Sequence, residues 1–452
     1  MMKKKLTQCL TNSMYKGLPY SKYFGSTVSS HVCLDEKAVL GFYSDPLIFQ
    51  QWFVGFSDAE SNFIIHKVLD KNGNISKFSF MFSIELHIDD LHTLEYIKNK
   101  LGLGNTRIYK DKCIFTISDK QGVYELISIF DKFNLNTTKY LDYLKFKEAF
   151  KIYHERPSNT KVANSKDLIP KLLELKSNMN KSRKIVTSED YKGKINITKY
   201  WLLGFIEGDG SFFISRTDIE PVFSIELSEE QYPVLLKIKE FLEKNLGFDK
   251  YSIFKLKNSS SISISKPISR LGKPTFIFTI KNIFILNNYF LPFIEKMVFI
   301  SKKGKDFLNF KIICNAVYKG SHKIEEIRSL ILKLTYNMNN FRLSNNTKPV
   351  VWLSEEEIDK IINVEAIFEY LSDGRIIDKR TNKPLPSFRN CIYEITLPSG
   401  EILLADTLKE TLSRVNVSFR SLKKSLDESE SVKLPNFEVK RIPIFMSNNL
   451  NK

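Results

Sequence analysis

One short motif occurs twice in this chain, and the pair limits what the chain can fold into. Residues 201–215 read Trp-Leu-Leu-Gly-Phe-Ile-Glu-Gly-Asp-Gly-Ser-Phe-Phe-Ile-Ser, and residues 52–63 read Trp-Phe-Val-Gly-Phe-Ser-Asp-Ala-Glu-Ser-Asn-Phe. Aligning Gly55 with Gly204 sets Asp58 on Glu207 and Glu60 on Asp209. In the second copy the apolar residues Leu202, Leu203, Phe205 and Ile206 predict a helix, Gly208-Asp209-Gly210 ends it, and Phe212, Phe213 and Ile214 are β-prone. Asp209 then lies at the C-terminal tip of a helix, where the dipole is negative and a carboxylate is costly. A glycine inside a helix costs about 1 kcal/mol against alanine; it makes sense where two backbones must touch. The simplest reading packs the two motif helices against each other and sets Glu60 and Asp209 side by side, a repulsive pair unless divalent cations sit between them. Oxygen ligands of this kind suit Mg²⁺, held by one or two carboxylates, waters and substrate phosphates.

The duplication extends beyond the motif. Phe82-Ser83-Ile84-Glu85-Leu86 recurs as Phe223-Ser224-Ile225-Glu226-Leu227, and Phe115-Thr116-Ile117 as Phe278-Thr279-Ile280. Residues 139–147, with Asp142 and Phe146, match residues 303–311, with Asp306 and Phe310. Asn178-Met179-Asn180 with Arg183 returns as Asn337-Met338-Asn339 with Arg342. Four blocks in one order indicate a tandem duplication with a period of about one domain. In the first copy, patterning predicts a helix over 46–59, strands over 63–68 and 78–86, a helix over 89–101, a hairpin over 107–117, and helices over 123–133 and 140–153. That order describes an α+β unit on an antiparallel sheet. The chain then divides into a poorly patterned segment (1–45), a first half (46–155), a linker with a helix at 169–180 (156–199), a second half (200–344) and a basic extension (345–452). The extension predicts a helix over 355–370, strands at 392–396, 402–405 and 437–445, and two short helices, 407–415 and 419–426, with Ser418 as N-cap. With Arg414, Arg420, Lys423 and Lys424, these two helices resemble a small helix-turn-helix unit.

Both motif copies resemble the signature of the LAGLIDADG homing endonucleases, which ends acidic–small–acidic. The first copy departs from that signature, with Glu60 for Asp and Ser61 for Gly. The resemblance implies two pseudo-symmetric αββαββα halves whose antiparallel sheets form a DNA-binding saddle. It implies double-strand cleavage at a long recognition site, leaving short 3′ overhangs, by a monomer using two or three divalent cations at Glu60 and Asp209. It also implies basic residues near the metals after the hairpin, which suggests Lys281 and Lys120; these could stabilise developing charge or make ordinary phosphate contacts. Asp58 and Glu207 would be mainly structural. The extension is similar to modular DNA-binding repeats attached to some homing nucleases.

Composition agrees with a polyanionic partner, since the formal net charge is +17. The five cysteines show no CxxC spacing, which argues against a disulfide framework or zinc site. No apolar run reaches the ~18 residues of a membrane span. Abundant Phe (35) and Tyr (19), with many Lys, Asn and Ile, fit an AT-rich genome such as a fungal mitochondrion, and so an organelle-encoded matrix protein. Lys3, Lys4 and Lys5 open the chain and no acid precedes Asp35, which leaves a transit segment, a basic arm or an upstream remnant open. A β-ribbon fits the major groove, so alternation nominates His66, Lys67, Ser215 and Arg216 as groove residues. Two other functions compete with an intron-encoded endonuclease: a maturase assisting a group I intron RNA, suggested by Trp52–Glu60 and by Met338–Ser344, and a DNA-binding regulator on an inactive nuclease fold. Both terminal acids being retained favours cleavage.

Overall fold

In a computed structural model the described residues are 44–155, 168–180, 192–265, 267, 274–347, 352–385, 390–415, 417–429 and 431–446. Lys3, Lys4, Lys5, Cys9, Cys33, Arg183 and most of the 1–45 and 156–199 segments lie outside them. The first half runs α1 (Pro46–Glu60), β1 (Ser61–Leu69), β2 (Ile75–His87), α2 (Leu91–Leu101), β3 (Asn105–Tyr109), β4 (Lys112–Ile117), α3 (Lys120–Lys132) and α4 (Lys139–His154), followed by α5 (Leu168–Ser177). Its strands form an antiparallel sheet ordered β1-β2-β4-β3. Alternation in β1 holds as expected: Phe63 and Ile65 are buried, while Asn62 and His66 face out. The buried face packs on α3 and α4 through aromatic rings, with Phe63 5.6 Å from Phe130 and 5.3 Å from Phe146, and 5.4 Å from Phe82 on the neighbouring strand.

The second half repeats this plan with α6 (Lys199–Asp209), β5 (Gly210–Ser215), β6 (Glu220–Ser228) and α7 (Tyr232–Asn245). An added helix, α8 (Lys250–Lys257), leads into β7 (Ile262–Ile264) and β8 (Thr275–Ile280), in a sheet ordered β5-β6-β8-β7. A helix broken by a π-turn (Ile283–Ile285, Leu286–Phe290, Leu291–Glu295) stands where α3 stands in the first half, and α9 (Lys303–Tyr318) and α10 (Glu325–Thr335) follow. The ring packing repeats too, with Phe212 5.3 Å from Phe223 and 5.2 Å from Phe310.

The recurring Met-Asn pair now has a physical basis. Asn180 (φ 53°) and Asn339 (φ 55°) both adopt the left-handed conformation that asparagine tolerates. Each donates its backbone N–H to the matched aspartate, Asp142 at 2.7 Å and Asp306 at 2.8 Å. Each side-chain amide also bonds the carbonyl of the matched β-strand phenylalanine, Phe63 at 2.9 Å and Phe212 at 3.0 Å.

Helices α1 and α6 join the halves. A Cβ on Gly55 would lie 2.0 Å from the Trp201 carbonyl oxygen, and one on Gly204 would lie 2.1 Å from that of Trp52. The two backbones are in direct contact, and no side chain fits at either position.

The extension holds α11 (Glu355–Asn363), then β9 (Phe368–Tyr370), β10 (Ile376–Asp378) and β11 (Lys383–Pro384) in a small sheet. The helix expected over 355–370 therefore stops at Asn363, because Phe368 and Tyr370 are held as a strand against the second half, Tyr370 stacking on Tyr318 at 4.5 Å. A second sheet, β13-β12-β15-β14, comprises β12 (Cys391–Thr396), β13 (Ile402–Ala405), β14 (Ser431–Leu434) and β15 (Phe437–Pro443). Two helices, α12 (Leu408–Val415) and α13 (Phe419–Glu428), lie on it. Among the described residues no helix is long and apolar enough to cross a membrane.

Replacing Gly55 or Gly204 by Ala is expected to lower stability by about 2 kcal/mol or more, since the obstacle is backbone rather than a movable side chain. Gly193, with nothing near its Cβ direction, serves as control and should stay within about 0.5 kcal/mol. Urea denaturation of the three variants checks this.

Candidate active site

Because the glycines let α1 and α6 meet, both helices end at the same place. Ser61 N–H closes α1 on the Ser57 carbonyl, and Gly210 N–H closes α6 on that of Ile206. Neither helix carries a basic residue in its last turn. The cations that answer the two negative helix ends come from other elements. Lys139, first in α4, donates its Nζ to the carbonyls of Ala59 (3.3 Å) and Ser61 (2.5 Å), which flank Glu60. Lys303, first in α9, donates to the carbonyl of Gly210 (2.7 Å), next to Asp209. Burial pulls the Lys139 ammonium below its ordinary range, while the carboxylates of Asp58, Asp209 and Glu60 oppose that shift.

Gly208 lets the Glu60 side chain lie against α6, as a Cβ there would sit 3.1 Å from Glu60 Cγ and Oε1. Burial pushes the Glu60 carboxyl up to about 7, and the Asp209 charge pushes the same way; Lys139 and Lys303 pull it down. Asp209 keeps a solvent-facing edge, yet the protein packed around it raises its carboxyl to about 6 against the same two lysines.

The other two acids of the motif do different work. Asp58, fully withdrawn from solvent, accepts the Trp201 indole N–H (2.8 Å), the backbone N–H groups of Asn136 (2.7 Å) and Thr137 (3.1 Å), and the Thr137 hydroxyl (2.6 Å). Glu207 mirrors it, accepting the Trp52 indole N–H (2.7 Å) and the backbone N–H groups of Ile300 (3.0 Å) and Ser301. Burial raises both carboxyls, Glu207 to about 7. Residues 136–137 and 300–301 lead into Lys139 and Lys303, so these acids position the lysines and are themselves enclosed.

A cavity of about 390 Å³ opens beside Glu60 and is lined by Glu85, His87, Asp90, Lys112, Lys303 and Asn339, among others. Asp90 adds negative charge near Glu60 and accepts the Lys302 backbone N–H at 2.8 Å, tying the halves together. The available donors are carboxylate and backbone carbonyl oxygens, with more anionic than cationic side chains. That donor set fits a hard divalent cation and not a soft one. Among the described residues no cluster of three or more His, Cys, Asp or Glu is assembled, so remaining ligands would come from water or from a phosphodiester.

The structure brings Glu60 and Asp209 together with Lys139 and Lys303, and leaves Lys120 and Lys281 elsewhere. Lys120 opens α3 with its Nζ 5.9 Å from the Tyr124 ring centre, and Lys281 is exposed just past β8. The lysines after the buried loops lie beside the acids instead, because hydrogen bonds to Asp58 and Glu207 fix those loops. The repeat matches Lys139 with Lys303 in sequence, but nothing in the spacing marks their place beside the helix ends. His66 and Lys67 are exposed on β1; Ser215 ends β5, and Arg216 lies just beyond it, its guanidinium 4.2 Å from the Tyr336 ring centre.

A family model described as LAGLIDADG endonuclease matches residues 53–150 and 202–314. The chain is 32% identical over 296 residues to a "Probable intron-encoded endonuclease Cox1-I1b" of Schizosaccharomyces pombe, an alignment spanning 63% of this chain and 69% of the relative. It is 28% identical over 330 residues to an "Uncharacterized mitochondrial protein RF1" of Saccharomyces cerevisiae, spanning 71% and 65%. Among solved structures, the LAGLIDADG homing endonuclease I-GzeII in complex with its DNA target superposes with a TM-score of 0.54 at 23% identity, over 65% of this chain and 99% of that one. The meganuclease I-SmaMI bound to DNA gives 0.53 at 22%, over 65% and 98%.

The raised acids carry a pH signature. In the folded chain Glu60 and Asp209 keep protons that the unfolded chain has released, so the folded state binds more protons and loses stability as pH rises from about 4 to about 7. Without divalent cations the Tm should fall across that window. Replacing both residues, Glu60→Gln with Asp209→Asn, should reduce the fall to the part that the raised carboxyls of Glu207 and Asp58 supply. Millimolar Mg²⁺ should raise the wild-type Tm at pH 8 by a few degrees and leave the double variant unmoved. Scanning calorimetry at pH 5 and pH 8 reads all three outcomes.

Proposed function

The chain belongs to the LAGLIDADG endonuclease family, and from that membership we propose that it is a site-specific endonuclease cutting both strands of a double-stranded DNA site. One observation carries the reading: two helices whose backbones touch at Gly55 and Gly204 present Glu60 and Asp209 together at their ends, each beside an ammonium group and an adjacent backbone carbonyl. Both acids retain their carboxylates, which favours cleavage over an RNA-binding maturase without chemistry of its own.

The two sheets lie on either side of this pair and read the duplex with their outward faces, from β1 (Asn62, His66, with Lys67 exposed towards the strand's far end) and from β5 (Ser211, Ser215) with Arg216 beyond it. Glu60 and Asp209 would hold divalent cations, with Mg²⁺ as the physiological ion. Such ions, when bound, lower the pKa of an attacking water and stabilise the leaving oxygen. Lys139 and Lys303 supply fixed positive charge next to the scissile phosphates and orient the carbonyls of Ser61 and Gly210. Asp58 and Glu207 hold those lysines in place, and the packed helix pair excludes water from beneath the acids. We assign one strand to each acid, so a single chain suffices for both cuts. The mitochondrial relative supports placing the protein in a mitochondrion, encoded within an intron.

A supercoiled plasmid carrying the uninterrupted target junction should be linearised with Mg²⁺ by the wild type. Glu60→Gln and Asp209→Asn should each slow one strand's cut on the order of 100-fold and leave nicked circles. Linear product at the wild-type rate from both variants would falsify the assignment of those acids.

A further inference from the structure

We propose that the α12–α13 pair of the extension is a second DNA-reading unit. It would set the first turn of α13 into the major groove of duplex lying beyond the second half's side of the cut site. The inference rests on the nuclease reading above and goes beyond it, because the two matched halves end before the extension begins.

The sheet β13-β12-β15-β14 uses its two faces differently. Cys391, Tyr393, Ile395, Ala405 and Val439 point to one face and bury the apolar sides of α12 and α13 in a core of their own. Ile392 and Ile442 point to the other face and belong to the main core of the nuclease body. The helix pair therefore lies on the side of the sheet turned away from the body. The sheet is fastened by specific bonds: Tyr251 hydroxyl to Glu394 (3.0 Å), Lys255 to Asp406 (2.7 Å), Phe445 N–H to the Ser252 hydroxyl (2.9 Å) and Asn288 amide to the Phe445 carbonyl (2.9 Å). Tyr251, Ser252 and Lys255 all lie on α8, which leads directly into β7, the edge strand of the second sheet. The module is thus held at the outer edge of one reading surface and has no counterpart in the first half.

The exposed face of α13 fits a duplex. Leu422 and Leu426 are buried, which turns Phe419, Arg420, Ser421 and Lys424 outward. Ser418 caps the helix by accepting the Ser421 N–H at 3.1 Å, and no acid lies in its first turn. Phe419 is 53% exposed at the first position and sets one apolar group beside these cations. Two helices in this order, with the start of the second presenting cations and one apolar group, match the way helix-turn-helix units meet base edges and phosphates. The outward cations, on a module attached to the helix that precedes edge strand β7, favour DNA over a protein or a lipid surface.

The test uses the full chain with Ca²⁺ and a randomised duplex library, comparing wild type with Arg420→Gln/Lys424→Gln; both residues are exposed, and an unchanged Tm confirms folding. The wild type should select a motif longer on one side of the cut by about one helical turn, roughly 10 base pairs. The variant should lose that flank, bind long duplex ~10-fold more weakly, and show a log–log salt slope smaller by roughly two. A wild-type motif equal on both sides, or a variant with an unchanged motif and slope, overturns the proposal while leaving the nuclease reading intact. Loss confined to RNA binding also overturns it, in favour of an RNA-binding appendage. A retained flank in a chain that cannot cut DNA with Mg²⁺ upholds the proposal and sinks the nuclease reading, whereas a chain that selects no duplex overturns both.

Discussion

The direct backbone contact between α1 and α6 determines the rest of this structure. At Gly55 and Gly204 each helix presses on the other's tryptophan carbonyl, at a separation no side chain permits. Glycine inside a helix is a local defect, and here it is tolerated twice because the contact sets the distance between the two helix ends. Everything polar at the site inherits its position from that contact. The acids lie at helix ends, the lysines bond the carbonyls of those ends, and the two sheets start from the next residue along.

That arrangement holds charge in an unfavourable place. Burial raises the proton affinity of Glu60 and Asp209 above that of ordinary acids, and for Glu60 the charges of Asp209 and Asp90 add to it. Lys139 and Lys303 compensate only in part, since they are engaged with backbone carbonyls and one is itself weakened by burial. A fold selected for stability alone would place neutral groups there. The excess negative potential is what a cation-dependent phosphodiester site needs, and pre-folded helices meet the cost of holding it.

Much of this was legible in the sequence because it is written twice. The motif pair, the glycines, the order of elements and the strand alternation in β1 all follow from periodicity and from the repeat. The lysines beside the acids were less legible: Lys139 and Lys303 stand at the start of helices, far in sequence from the acids, and only the loops bonded to Asp58 and Glu207 bring them in. Lys120 and Lys281 looked equally suitable by spacing, which carries no information about which end of a strand meets the helix pair. The strands β9–β11 escaped notice because they are two or three residues long and exist by packing on the second half. Phe368 and Tyr370 were read as the end of a helix for the same reason.

The penultimate acids show how the two halves are made interdependent. Asp58 belongs to the first half and fixes the loop before Lys139, but one of its donors is the indole of Trp201 from the second. Glu207 fixes the loop before Lys303 and takes its indole from Trp52 of the first. Each half thus lends a tryptophan to the support beneath the other half's lysine. A displacement of one helix along the glycine contact would withdraw an indole from one buried carboxylate and crowd the other. Buried acids that lose a donor are costly, so the pair resists sliding, and both acid–lysine sites are correct together or disturbed together. For the two-strand cut proposed above, that mutual dependence is a physical reason to keep both halves in a single polypeptide.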